Sequence, residues 1–167
     1  MLSVLLTVAV IAFLLFWLGA SYRRIVRLRM HVSHAWKTLD DQVKRRIETI
    51  GKTLDMARSA GIQAVELDRL VHLHAEAIPY RGPADASRRN AQLDQALNGL
   101  LSLMGQNPGV GGALRAISED LNAVSRAVVK ESEIYNERAA RYNRAIGAVP
   151  GNLIAGMAGF HRAELFS

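Results

Sequence analysis

From Leu2 to Ala20 the chain reads LSVLLTVAVIAFLLFWLGA, 19 residues without a charged side chain, and Arg23, Arg24, Arg27 and Arg29 follow at once. A helix of that length rises ~28 Å, close to the ~30 Å hydrocarbon thickness of a bilayer. The stretch reads as a transmembrane anchor over residues 1–21. A cleaved secretory signal is the rival reading. It calls for basic residues ahead of a shorter apolar core and a small-x-small cleavage site; here the basic residues come after the core. Ser3 and Thr7 suit side-chain bonds to helix carbonyls, and Trp17 and Tyr22 fall where interfacial aromatic anchors are expected. Positive charge beside a membrane helix stays on the cytoplasmic side. The expected topology is therefore N-terminus out, with residues 22–167 in the cytoplasm.

The 21 Lys+Arg exceed the 15 Asp+Glu by six, and setting aside the four collar arginines leaves +2 (6 − 4). The basicity is thus largely a collar at the membrane surface, where Arg23, Arg24, Arg27 and Arg29 meet lipid headgroups. A basic nucleic-acid surface would interleave aromatic and basic residues. None does so here, and no nucleic-acid partner is expected. The chain has no cysteine, which removes disulfide frameworks, thiol chemistry and a lipidated cysteine.

Beyond the anchor, apolar residues recur three or four apart: Ile25, Leu28, Val32, Trp36, Leu39, Val43, Ile47, Ile50, Leu54, Ala57. That period is one buried stripe of a helix continuous with the anchor. Further stripes are Val65, Leu67, Leu70, Val71, Leu73, Ile78; then Leu93, Leu97, Leu100, Leu101, Met104; then Leu114 to Ile146. Pro79-Tyr80-Arg81-Gly82-Pro83 and the segment 105–112, with Asn107-Pro108-Gly109, read as connections. Strand alternation is absent, so the fold class is all-α. Ser59-Ala60-Gly61 is either a kink or a turn. A turn gives helices near 22–60, 62–78, 86–104 and 110–147. The two long ones match in length, and short connections make an up-and-down antiparallel four-helix bundle over residues 22–149. The apolar tail, residues 150–167, then returns towards the membrane. It closes the open end of the bundle as a short helix, lies on lipid or on the anchor as an interfacial segment, or is disordered.

Chemistry-bearing patterns are few. His31 and His34 share a helix face, but neither follows a glutamate by three residues, as a bundle metal site requires, and the arginines repel cations. His72 and His74 point to different faces. No metal and no cofactor are expected. Asp40 and Asp41 with Lys44, Arg45 and Arg46 read as i,i+4 pairs on an exposed face. The dipeptide Tyr-Asn occurs twice, at Tyr135-Asn136 and Tyr142-Asn143, seven residues apart and so on one helix face. Tyrosine rings fill a seam, and asparagine beside it fixes register; a partner-binding face is the second reading.

In sequence order the anchor, Tyr22-Arg23-Arg24-Ile25-Val26-Arg27-Leu28-Arg29, Ala35-Trp36, Val43-Lys44-Arg45-Arg46, Tyr135-Asn136, Tyr142-Asn143-Arg144-Ala145-Ile146, Val149-Pro150-Gly151-Asn152-Leu153-Ile154-Ala155-Gly156 and Gly159-Phe160 resemble the LemA family of bacterial membrane proteins. The resemblance spans nearly the whole chain. It implies a four-helix bundle and a single-pass protein of the bacterial cytoplasmic membrane with no established enzymatic activity. It carries over no catalytic or ligand residue. The sequence departs from the family in Gly51, where proline is usual, in Gly61 at the first turn, and in the glycine-rich 105–112 loop.

The reading that follows is a membrane-anchored scaffold or assembly module that does no catalysis. Its partners are the lipid bilayer and either copies of itself or another membrane protein. Trp36, Arg45, Arg46, Tyr135, Asn136, Tyr142, Asn143 and Pro150 are the candidates for end packing or partner contact. The alternative is a small-molecule or metal-responsive sensor or enzyme with a polar site in the bundle core.

Overall fold

One helix, α1, runs from Leu2 to Ser59 without a break. Its 58 residues span ~87 Å in the computed structural model, which describes residues 1–107, 109 and 111–167. Then follow α2 (Val65–Ala77), α3 (Pro83–Gly105), α4 (Gly111–Gly147) and a short α5 (Gly151–Ala158). No strand occurs among the described residues, and the all-α expectation holds.

Two environments divide α1. Val4, Leu5, Leu6, Val8, Val10, Ile11, Phe13 and Phe16 are all exposed, and this is the one helix among the described residues long and apolar enough to cross a membrane. From Ile25 onwards the expected stripe turns inward: Ile25, Val32, Leu39, Val43, Ile47, Ile50, Leu54 and Ala57 are buried. Thr7, Thr38, Thr49 and Thr53 each return a hydroxyl hydrogen bond to the carbonyl four residues back, which lets polar side chains ride on the helix.

The chain turns at Ser59-Ala60-Gly61 rather than kinking. Gly61 takes φ +69°, and the amide of Ile62 closes on the carbonyl of Ala57 at 3.1 Å, a glycine C-cap. α2 is shorter at both ends than expected. Val65 and Ile78 are exposed, while Leu67, Leu70 and Ala77 carry its buried face. α3 begins earlier than expected, because Gly82 (φ +110°) and Pro83 set a helix start. Asp85 in the first turn accepts the Arg81 amide at 3.0 Å, and this bond with those from Arg89 and Arg88 holds its carboxyl below the usual carboxylate range. Pro108 and Val110, in the connection expected over 105–112, lie outside the described residues.

Cross-links give the topology. Arg138 of α4 meets the His31 carbonyl and Arg46 meets Ser125, so residue numbers rise along α1 as they fall along α4. His74 of α2 reaches the Ile47 carbonyl at 3.0 Å, and its ring would lie 3.3 Å from a Cβ added at Gly51. α3 then runs alongside α1, with Asn90 and Asp94 on Arg46. The order is up-down-up-down.

α2 and α3 are too short to cover the α1–α4 pair along its whole length. The C-terminal segment fills the difference. α5 packs where α4 ends and α1 leaves the bundle, and Gly159 (φ +66°) then reverses the chain. Residues 160–167 run back along α4, so that the Ser167 carbonyl accepts from Ser87 of α3 at 2.7 Å. The tail expected as one returning segment is thus two: a helix at the neck, and an extended strap directed away from it.

Candidate functional site

The strap is held by the repeated dipeptide. Asn143 Nδ2 donates to the Ala163 carbonyl at 2.9 Å, and its Oδ1 accepts from the Ala163 amide at 2.8 Å. Asn136 does the same to Phe166, at 2.7 and 2.9 Å. The tyrosines add one bond each: Tyr135 to the Glu164 carbonyl at 2.6 Å, and Tyr142 to the His161 carbonyl at 3.0 Å. The spacing explains the repeat. Seven residues of helix rise ~10.5 Å, and three residues of extended chain span ~10 Å, so Asn136 and Asn143 fall in register with Phe166 and Ala163. The asparagines therefore satisfy the backbone of an extended segment, not a seam between helices. The tyrosines beside them remain core: Tyr135 and Tyr142 are buried as the stripe requires. Burial, and after it the carboxylate of Glu164, pushes the Tyr135 phenol up to about 12; burial also raises that of Tyr142, against an opposing pull from Arg29.

Trp36 stands half-buried between two rings, 5.7 Å from Tyr135 and 6.3 Å from Tyr80, both edge-on. It links the strap seat to the α2–α3 turn, where the Tyr80 hydroxyl donates to Asp40 at 2.5 Å. Asp40 also pairs with Lys44 at 2.5 Å, an expected i,i+4 partner.

Arg46 departs from the expected exposed face. It is 3% exposed, and its guanidinium donates to Ser125 at 3.0 Å and to Asn90 and Asp94. The reason is register: Leu39, Val43, Arg46 and Ile50 are four and three residues apart, so position 46 lies on the buried stripe. Arg45, one residue earlier, is exposed. The network clamps α1, α3 and α4 together. With all three guanidinium nitrogens engaged, it is a cross-link rather than an open ligand seat.

At the neck, Tyr22, Arg23, Arg24, Arg27 and Arg29 are all exposed, and Trp17 lies one helical turn further along the apolar stretch. Tyr22 contacts Phe160 with centroids 6.0 Å apart, and the Arg29 guanidinium lies 5.6 Å over the same ring. Pro150 is buried, and a Cβ on the adjoining Gly151 would drive into the Ala145 carbonyl oxygen. His31 and His34 are exposed, His72 faces Glu76 at 3.6 Å and His74 is spent on the Ile47 carbonyl. Among the described residues no three His, Asp or Glu side chains gather as a metal set.

An apolar-tipped helical bundle, closed by its own C-terminal strap on a Tyr-Asn ladder, defines the class of protein. The LemA family model matches residues 35–167, which include that ladder and strap, and the chain belongs to the LemA family. A comparison with curated proteins finds no match.

Proposed function

We propose that this protein is a membrane-anchored scaffold. The apolar start of α1 lies in a bacterial cytoplasmic membrane with its N-terminus outside, and the bundle stands in the cytoplasm at the inner leaflet. It positions a second copy of itself or another membrane protein and performs no catalysis. The observation that carries the reading is the change of environment along α1, whose first five turns expose apolar side chains on every face before the arginines begin. Such a surface is far larger than a water-exposed patch on a soluble monomer. The arginines supply the orientation.

Two measurements test it. A reporter fused behind Ser167 is expected to read cytoplasmic, and the protein to resist alkaline carbonate extraction; an external reporter overturns the orientation. Purified from native membranes in mild detergent, the protein is expected to bring a partner or a second copy. Recovery of isolated monomer alone removes the scaffold role.

A further inference from the structure

Beside the neck, α1, α4 and α5 enclose a cleft of about 560 Å³ lined by Ser21, Arg24, Leu28, Arg141, Arg144 and the Val149–Gly151 turn. It opens one residue past the apolar stretch of α1. Three guanidinium groups line it, and among the described residues neither Arg24 nor Arg144 has a carboxylate within ion-pair distance. Arg141 pairs with Glu137 at 2.6 Å, but both side chains are solvent-exposed and such a pair is weak enough to exchange.

A second feature adjoins it. Leu153 and Met157 of α5 are 60 and 91% exposed and four residues apart on its outward face, Val149 in the turn before the helix is 70% exposed, and Gly151 and Ile154 carry the buried face of α5. Both ends of α5 sit at the level of residues 21–29, the N-terminal end through the cleft and the C-terminal end through Phe160 on Tyr22 and Arg29. A helix in that position, with apolar side chains outward and arginines beside it, has the arrangement of a segment seated at a headgroup boundary. Guanidinium groups suit phosphate oxygens through paired N–H donors.

We propose that the cleft is a binding site for an anionic phospholipid. Arg24, Arg144 and Arg141 take the phosphate diester, and Val149, Leu153 and Met157 lie against the adjoining acyl chains. The inference rests on the membrane placement argued above and adds to it a discrete site at the neck.

The test uses the full chain in mild detergent, with lipid retention read by native mass spectrometry against added phosphatidylglycerol or phosphatidylcholine. The wild-type protein is expected to hold one phosphatidylglycerol in preference. Arg24→Gln with Arg144→Gln weakens that retention about fivefold per arginine removed. Arg23→Gln with Arg27→Gln, which leaves the cleft intact, changes it little. Equal losses in the two double variants would reduce the effect to a diffuse collar and overturn the site. Release of the lipid by inorganic phosphate would make the ligand a free phosphate and overturn the lipid assignment. Should the Arg24/Arg144 variant lose helical content, Met157→Ser alone carries the test and is expected to lower retention; a dimer dissociating in its place assigns the outward face of α5 to a second copy and overturns the lipid. Wild-type protein released by carbonate removes the membrane reading itself, whereas carbonate-resistant protein with unchanged retention in the cleft variants removes only the site.

Discussion

Asn136 and Phe166 share a closed pair of hydrogen bonds, the carboxamide of one donating to the carbonyl of the other at 2.7 Å and accepting from its amide at 2.9 Å. Phe166 is at the same time buried in the core, so the bonds and the packing hold the same residue. Asn136→Ala leaves a partly buried peptide group without partners and is expected to cost about 1–3 kcal/mol. Hydrogen exchange at the Phe166 amide reads the effect directly, and protection there should fall further than protection within α4. Asn143→Ala acts likewise at Ala163. Because both hold one strap, the two losses are expected to be non-additive; simple addition would show that the strap is not a cooperative unit.

Much of the architecture is legible from period alone. Ile25, Leu39, Val43 and Ile50 recur at helical spacing and are buried, and glycine at position 61 marks a turn that propensity by itself leaves open. The strap is not legible in that way. His161 to Ser167 have neither a helical period nor a strand alternation, because their backbone is satisfied by side chains of another element. The Tyr-Asn repeat carries the signal, but a seven-residue spacing on a helix reads as a helix seam until an extended partner is in view. Arg46 escapes the pattern for a related reason. A charged side chain in a charged run looks solvated, although its register with Val43 and Ile50 already places it inside.

The Arg46 cross-link should be asymmetric under mutation. Arg46 is 3% exposed and the side chain of Asp94 is 48% exposed, so the charge left stranded by Asp94→Ala is the buried one. Asp94→Ala is expected to destabilise by about 1–3 kcal/mol, moderated by the solvent already at that carboxylate. Arg46→Met replaces the buried charge by an apolar stem of similar reach and should cost less. Denaturant midpoints of the two variants decide the matter, and a larger loss for Arg46→Met would contradict the ordering.

Gly151 is expected to tolerate no side chain. A Cβ there collides with the backbone of Ala145, which has no flexible end to move aside. Gly151→Ala should cost about 1–3 kcal/mol or displace α5. Gly156, with open space around it, is the control. Thermal unfolding of the pair checks this, with Gly156→Ala expected near the parent value.

Stability should fall at alkaline pH. The Tyr135 phenol is raised to about 12, chiefly by burial, from an unfolded value near 10. An acid whose folded pKa is raised contributes stability that is complete below the unfolded value and is lost as pH rises through the folded one. The window is therefore about pH 10 to 12. Denaturant titrations across it should show a declining midpoint, with a shallower decline in Tyr135→Phe; identical slopes would remove Tyr135 as a cause.

The unbroken run of α1 from Leu2 to Ser59 has a mechanical consequence. With no hinge at the neck, the rod carries torque and tilt from end to end. Whatever grips the apolar tip sets the pitch and the facing direction of the far end, and a lever of ~87 Å turns a few degrees at one end into several ångströms at the other.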